Sequence, residues 1–309
     1  MHRGREYIQA VIACNRGDVK MAPKSSSGRR KSGGKSQAPA QATGTVPQAK
    51  TIAEANQLAV NLGLVQHADF TGLDVSAANE MMSELDATYK MFPNLPHLVF
   101  IGSIQNGINW AHDEVQREKF FRDPAKWRRI YPGLSDSEVI AKIQVSKHRV
   151  DSKAWAWFAS GNYSTGHYDV EYIGLNTQHY SSSLLSDTLS HGLPRGTLMR
   201  FHPEHCGTIR SVISHEIGHY LDYRFGIEKD SSIRKIFRAY REKGVLRDTG
   251  HGIDRYFGRM AEALSEYANT NRREFIAEAW AEYRNNPNPR SLAKQVGDRI
   301  IEIVRGRNF

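Results

Sequence analysis

His215 and His219 stand one i, i+4 step apart in the run His215-Glu216-Ile217-Gly218-His219. On an α-helix both imidazoles then leave the same face and can share a cation. Neutral imidazole suits Zn2+, which lowers the pKa of bound water to about 7. Glu216 is turned by about 100° from His215 on such a helix. It stands beside the shared metal rather than on it, where it can take a proton from an activated water and pass it to a leaving amine. The chemistry on offer is hydrolysis with Glu216 as general base.

A catalytic zinc needs a third protein ligand and an open fourth position. The extended pattern that adds Gly and His three and six residues after the second histidine is excluded, because Asp222 and Phe225 occupy those places. Asp222 shares the histidine face but lies too far along the axis, so it is expected to hold a neighbour, and it stands next in line as ligand. A better candidate lies in Arg273-Glu274-Phe275-Ile276-Ala277-Glu278-Ala279-Trp280, which reads as a strong helix with Glu274 and Glu278 on one face. Carboxylates at i, i+4 repel unless a cation or donors intervene. Glu274 as metal ligand, with Glu278 accepting a hydrogen bond from a ligand histidine, removes the conflict. His202, His205 and Cys206 cluster just upstream, but without a fourth spaced ligand they read as a loop packing on the helix start, with Thr208 as its N-cap.

Positioning these groups requires a framework. Ile213, Ile217 and Leu221 recur every four residues and give the histidine helix, about Thr208 to Tyr223, a buried side; Gly218 admits a close neighbour. Upstream, helices are expected at 51–62, after the capping-box spacing Thr51…Glu54, and at 75–91; others are expected near 112–121 and 135–147. Strand-like runs occupy 66–70, 97–104, 154–158 and 168–176, the last two joined by a Gly/Ser-rich hairpin. The 168–176 run is the last before the histidine helix and is expected to be the cleft edge that pairs with an extended substrate. A helix near 182–190 and a loop through Pro194 and Gly196 precede the histidine helix. Helices near 232–243, 255–265, 271–285 and 290–304 follow it. The pattern is α+β, a small mixed sheet followed by an active-site helix and a helical C-terminal half.

Of the net charge of +9 over 309 residues, residues 1–50 carry +8, from ten Lys/Arg against Glu6 and Asp18, which leaves +1 for residues 51–309. Residues 21–50 hold almost no large apolar side chains. Residues 1–50 therefore read as a disordered basic leader suited to weak contact with nucleic acid or an acidic partner, and 51–309 as the folded domain. No apolar run reaches the roughly 18 residues of a membrane span, and the first twenty residues lack a secretory cleavage pattern. Two cysteines are too few for a disulfide framework, so a reducing compartment is expected.

The pairing of HEIGHYLD with SEYANTNRREFIAEAWAEY resembles the HExxH…Glu zincins (gluzincins), of the type seen in anthrax lethal factor and, more nearly, in metallopeptidase-like domains associated with phage minor head proteins. The likeness spans most of residues 66–304 and none of the leader. It implies a zincin-like fold and a peptide or protein substrate. It also implies metal ligation by His215, His219 and Glu274, and a tetrahedral oxyanion stabilised by Tyr267. A phage setting implies the host cytoplasm or the virion as location, with a head-associated structural protein keeping a non-catalytic zinc as the alternative. Glu216 favours the enzyme, because a purely structural zinc gains nothing from a general base.

Overall fold

The computed structural model describes residues 46–145, 154–160, 171–198, 201–245 and 263–307. Thr51 caps α1 (Ile52–Asn61) by accepting from the Glu54 amide, and Asp74 caps α2 (Val75–Met91) through Ser76. Between them lies β1 (His67–Asp69). The strand β2 (Phe100–Ser103) runs into α3 (Ile104–Arg122), capped by the Ser103 hydroxyl. This helix starts well before the expected residue 112. Its first turns pack on the sheet, Gly107 lying so close to the Tyr172 ring that a Cβ would come within 2.5 Å of it. The unanticipated α4 (Pro124–Ile130) and the expected but shorter α5 (Asp136–Lys142), which carries the Ser135–Glu138 capping box, close a small cluster around Phe120, Val139 and Ile143.

The strands β3 (Ala156–Ala159) and β4 (Tyr172–Leu175) complete a four-stranded sheet of order β1-β2-β4-β3. The first three strands in that order are parallel to one another, while β3 is antiparallel to β4, with Phe158 opposite Ile173. The 168–176 run is therefore not the cleft edge: β4 is paired on both sides, and β3 is the edge strand. Every residue of β4 is buried, as a strand covered on both faces requires. Most of the expected hairpin and the first residues of that run lie outside the described residues.

After β4 come α6 (Thr177–Tyr180), α7 (Leu185–Asp187), a π-turn (Thr188–Gly192) and α8 (Leu193–Leu198). Pro194 and Gly196 thus lie in helix rather than loop. The C-terminal half holds α9 (Ile209–Phe225), α10 (Ser231–Val245), α11 (Arg272–Asn285) and α12 (Ser291–Arg305). The expected 255–265 helix falls mostly outside the described residues. The helix α9 ends where Gly226 adopts φ +62, a left-handed conformation that favours glycine. The main core gathers the buried faces of α1, α2, α9, α11 and α12 against the sheet. Val46 and Ala49 already belong to it, the amide and carbonyl of Ala49 bonding the Asn79 side chain at 2.9 Å each, so packing begins inside the 1–50 segment. This architecture is α+β.

Candidate metal centre

Two helices build the site. Ile213, Ile217 and Leu221 of α9 are fully buried, each contributing about 1.5–3 kcal/mol by removal from water. That burial fixes the rotation of α9 and turns His215 and His219 toward α11. The helix α11 is buried from Glu274 to Arg284 and is capped by Asn271, whose Oδ1 accepts from the amides of Arg273 and Glu274. The two cross at Gly218, where an added Cβ would come within 2.8 Å of the Ala277 Cα. Near the start of α9, Glu84 of α2 is fully buried and accepts from Arg210, Ser214 and Arg284 at 2.7, 2.9 and 3.1 Å. This carboxylate clamps α2, α9 and α11 together.

At the crossing three side-chain atoms face one another. His215 Nε2 and His219 Nε2 are 3.1 Å apart, and Glu274 Oε2 lies 3.1 Å from the first and 3.2 Å from the second. The outer nitrogen of His215, Nδ1, sits 2.8 Å from Glu278 Oε1. A hydrogen there leaves Nε2 with a lone pair facing His219 Nε2 and the Glu274 carboxylate. A cation among these atoms favours such a convergence. In the metal-free chain burial opposes charge on His215, but hydrogen bonds and charges from Glu274 and Glu278 outweigh it and hold the imidazole well above its usual range. Glu274 is likewise pulled far below the ordinary carboxylate range by the two histidines, against its burial. A tetrahedral zinc with bonds of about 2.0–2.1 Å sets ligand atoms roughly 3.3 Å apart. Two imidazoles and a carboxylate, already at nearly that spacing, fit zinc in both chemistry and size. These three residues are a group that can hold a metal ion.

Glu278 is 1% exposed and reaches both partners the site needs. Beside His215 it meets His202 Nδ1 at 3.4 Å through Oε1, and its Oε2 accepts from Ser265 Oγ at 2.8 Å. Burial raises its pKa, yet His202 and His215 bring it down to about 2. Nothing in the sequence spacing linked His202 or Ser265 to the site. Asp222 does not ligate; its Oδ1 accepts from the Glu228 amide at 2.6 Å and its Oδ2 lies 3.8 Å from Arg273.

Glu216 is buried beside the histidines, and burial pushes its carboxyl above the usual glutamate range. His215, His219 and a hydrogen bond from the Phe158 amide act in the opposite direction, while Glu274 adds to the rise. That amide identifies the outward face of β3. The Trp155 carbonyl accepts from the Asn176 amide, so by antiparallel alternation Ala156 and Phe158 direct their polar groups away from β4. Among the described residues no strand covers that edge. Tyr267, in a short 3-10 turn Tyr267–Asn269, stacks its ring 5.9 Å from that of His215 at 26°.

The structure therefore brings His215, Glu216, His219, Tyr267 and Glu274 together. No protein-family model, no curated protein and no solved structure matches this chain. Its function must be argued from the geometry of this centre.

Proposed function

We propose that this chain is a zinc-dependent peptidase of the HExxH…Glu zincin type, acting on a peptide or protein. The observation that carries the reading is the triangle of His215 Nε2, His219 Nε2 and Glu274 Oε2, 3.1–3.2 Å on each side. A zinc ion held there supplies Lewis acidity, polarising a carbonyl and bringing a water's pKa near 7. Held by His215, His219 and Glu274 alone, such an ion would remain open to solvent or substrate, as a catalytic rather than structural centre requires.

The chain's own groups do the rest. The buried Glu216 carboxylate accepts a proton from the attacking water as its oxygen bonds the scissile carbonyl carbon. It returns that proton to the leaving nitrogen as the C–N bond breaks. The Phe158 hydrogen bond fixes the carboxylate against β3, so the base and the strand edge share one frame. The edge of Ala156 and Phe158 suits main-chain pairing with an extended peptide, a mode that accepts many sequences. Tyr267 lies on the His215 side, where its hydroxyl serves to donate to the oxyanion.

Glu216→Gln tests this directly. The substitution keeps shape and hydrogen bonding but removes the base. Hydrolysis of a peptide library should fall by at least about 100-fold, with one zinc per chain and the melting temperature retained. Equal cleavage by the Gln variant would refute the role of Glu216. A wild-type chain without zinc would refute the centre itself.

A further inference from the structure

We infer that His202 is a positioning residue for the metal-binding His215, acting through Glu278, and that its loop also seats Tyr267. The inference rests on the metal reading above and extends it to a segment outside the ligand set. His202 Nδ1 approaches the same Glu278 oxygen that His215 Nδ1 meets at 2.8 Å, while Ser265 Oγ holds the other oxygen. Three chain segments thus converge on one desolvated carboxylate. At 3.4 Å the His202 contact is long for a hydrogen bond, so its share is smaller than that of Ser265. Its value is directional. It bears on the same Oε1 that His215 meets, and a ligand imidazole is only as well aimed as the acceptor behind it.

The loop is itself built to present that nitrogen. The amides of Phe201 and His202 both donate to the Gly196 carbonyl, at 2.9 and 3.3 Å. The imidazole lies flush on Gly196, where an added Cβ would come 2.9 Å from its Cδ2. From the same loop the Phe201 carbonyl accepts from the Tyr267 amide at 3.3 Å. The Phe201 ring stacks on that of Tyr267 at 5.3 Å, and His202 meets Tyr267 edge-on at 6.4 Å. Tyr267 stacks in turn on His215. The loop therefore touches both neighbours of His215, the carboxylate behind its ring and the aromatic ring beside it.

Zinc affinity, measured by competition with a chromogenic chelator on the full chain, tests the inference without any substrate. Loss of an outer partner weakens metal binding by about 10- to 100-fold. His202→Ala should fall at the low end, about tenfold. His202→Asn, which keeps a donor near the Nδ1 position, should recover most of that loss. In a Glu278→Ala background, where the shared acceptor is gone, His202→Ala should change affinity by less than about twofold, because its path is already cut. His205→Asn, an exposed neighbour in the same loop with φ +61, should leave zinc affinity unchanged. Wild-type affinity in His202→Ala overturns the inference alone, as does a full tenfold loss on top of Glu278→Ala. A wild-type chain that binds no zinc overturns the metal reading and this inference with it.

Discussion

Gly218→Ala sets two opposite effects against each other. In a helix interior alanine is favoured over glycine by about 0.8–1.0 kcal/mol, so a loosely packed α9 would be stabilised. The new Cβ, however, would lie 2.8 Å from the Ala277 Cα, 3.3 Å from its Cβ and 3.4 Å from the Trp280 Cβ. The nearest atom is backbone in a buried helix and cannot rotate aside, so α9 and α11 must part by several tenths of an ångström. Overpacking of this kind costs typically about 1–3 kcal/mol, and the net should be a loss of about 0–2 kcal/mol once the propensity gain is subtracted. Glu274 lies one turn before Ala277 on α11, so the same displacement draws its carboxylate away from the histidines. Zinc affinity should drop by about tenfold or more, as for other disturbed ligand settings. Urea unfolding of the EDTA-treated protein reads the first effect and chelator competition the second. A variant more resistant to urea than the wild type, with undiminished zinc affinity, would refute the close crossing.

Three further outcomes follow from the described contacts. Glu84→Ala strands Arg284, itself 6% exposed, and should destabilise by about 3–5 kcal/mol, as loss of one partner of a buried ion pair does; a shift below 1 kcal/mol in urea unfolding would contradict the clamp. In the metal-free protein His215 has a raised pKa, so the folded state holds its proton more tightly than the unfolded one, whose reference is 6.5. That contribution is complete below about pH 6.5 and is lost as pH rises through the elevated value. EDTA-treated protein should thus lose stability from pH 7 to 9 while zinc affinity rises as protons cease to compete, and a melting temperature that climbs over that range without metal would contradict it. Removing residues 1–45 should leave thermal stability unchanged, whereas removing 1–50 should cost about 1–3 kcal/mol for the two Ala49–Asn79 hydrogen bonds, seen as a several-degree gap between the two truncated chains.

What could be read from the sequence was whatever obeys local rules. The span of α2, the Thr51 and Ser135 caps and the histidine spacing all follow from periods and side chains within a few residues. Gly218 as a point of close approach and Glu278 as a partner for a histidine of the HExxH helix were also legible, since a small residue and a paired carboxylate state their needs in sequence. Strand order was not, because the pairing of β2 with β4 joins residues 72 apart. One clue was present: Tyr172-Ile173-Gly174-Leu175 has no polar alternation, as expected of a strand covered on both faces. Glu84 and His202 gave no local signal, their partners lying 76 to 200 residues away. The first turns of α3 were missed because Asn106, Gly107 and Asn109 interrupt the apolar period, and packing against the sheet decides there instead of propensity.

The crossing of α9 and α11 also divides the centre between two stretches of chain, His219 and Glu274 being 55 residues apart. Between them the chain passes through α10 and then through residues outside the described set before reaching Tyr267 and α11. A single cut there, between residues 245 and 263, would yield one fragment with both histidines and Glu216 and another with Tyr267, Glu274 and Glu278. Neither fragment would own a complete coordination set, yet their interface, Gly218 against Ala277 and Trp280, would remain available for reassociation. If the proposed metal reading holds, full-affinity metal binding would report that two such halves have found each other.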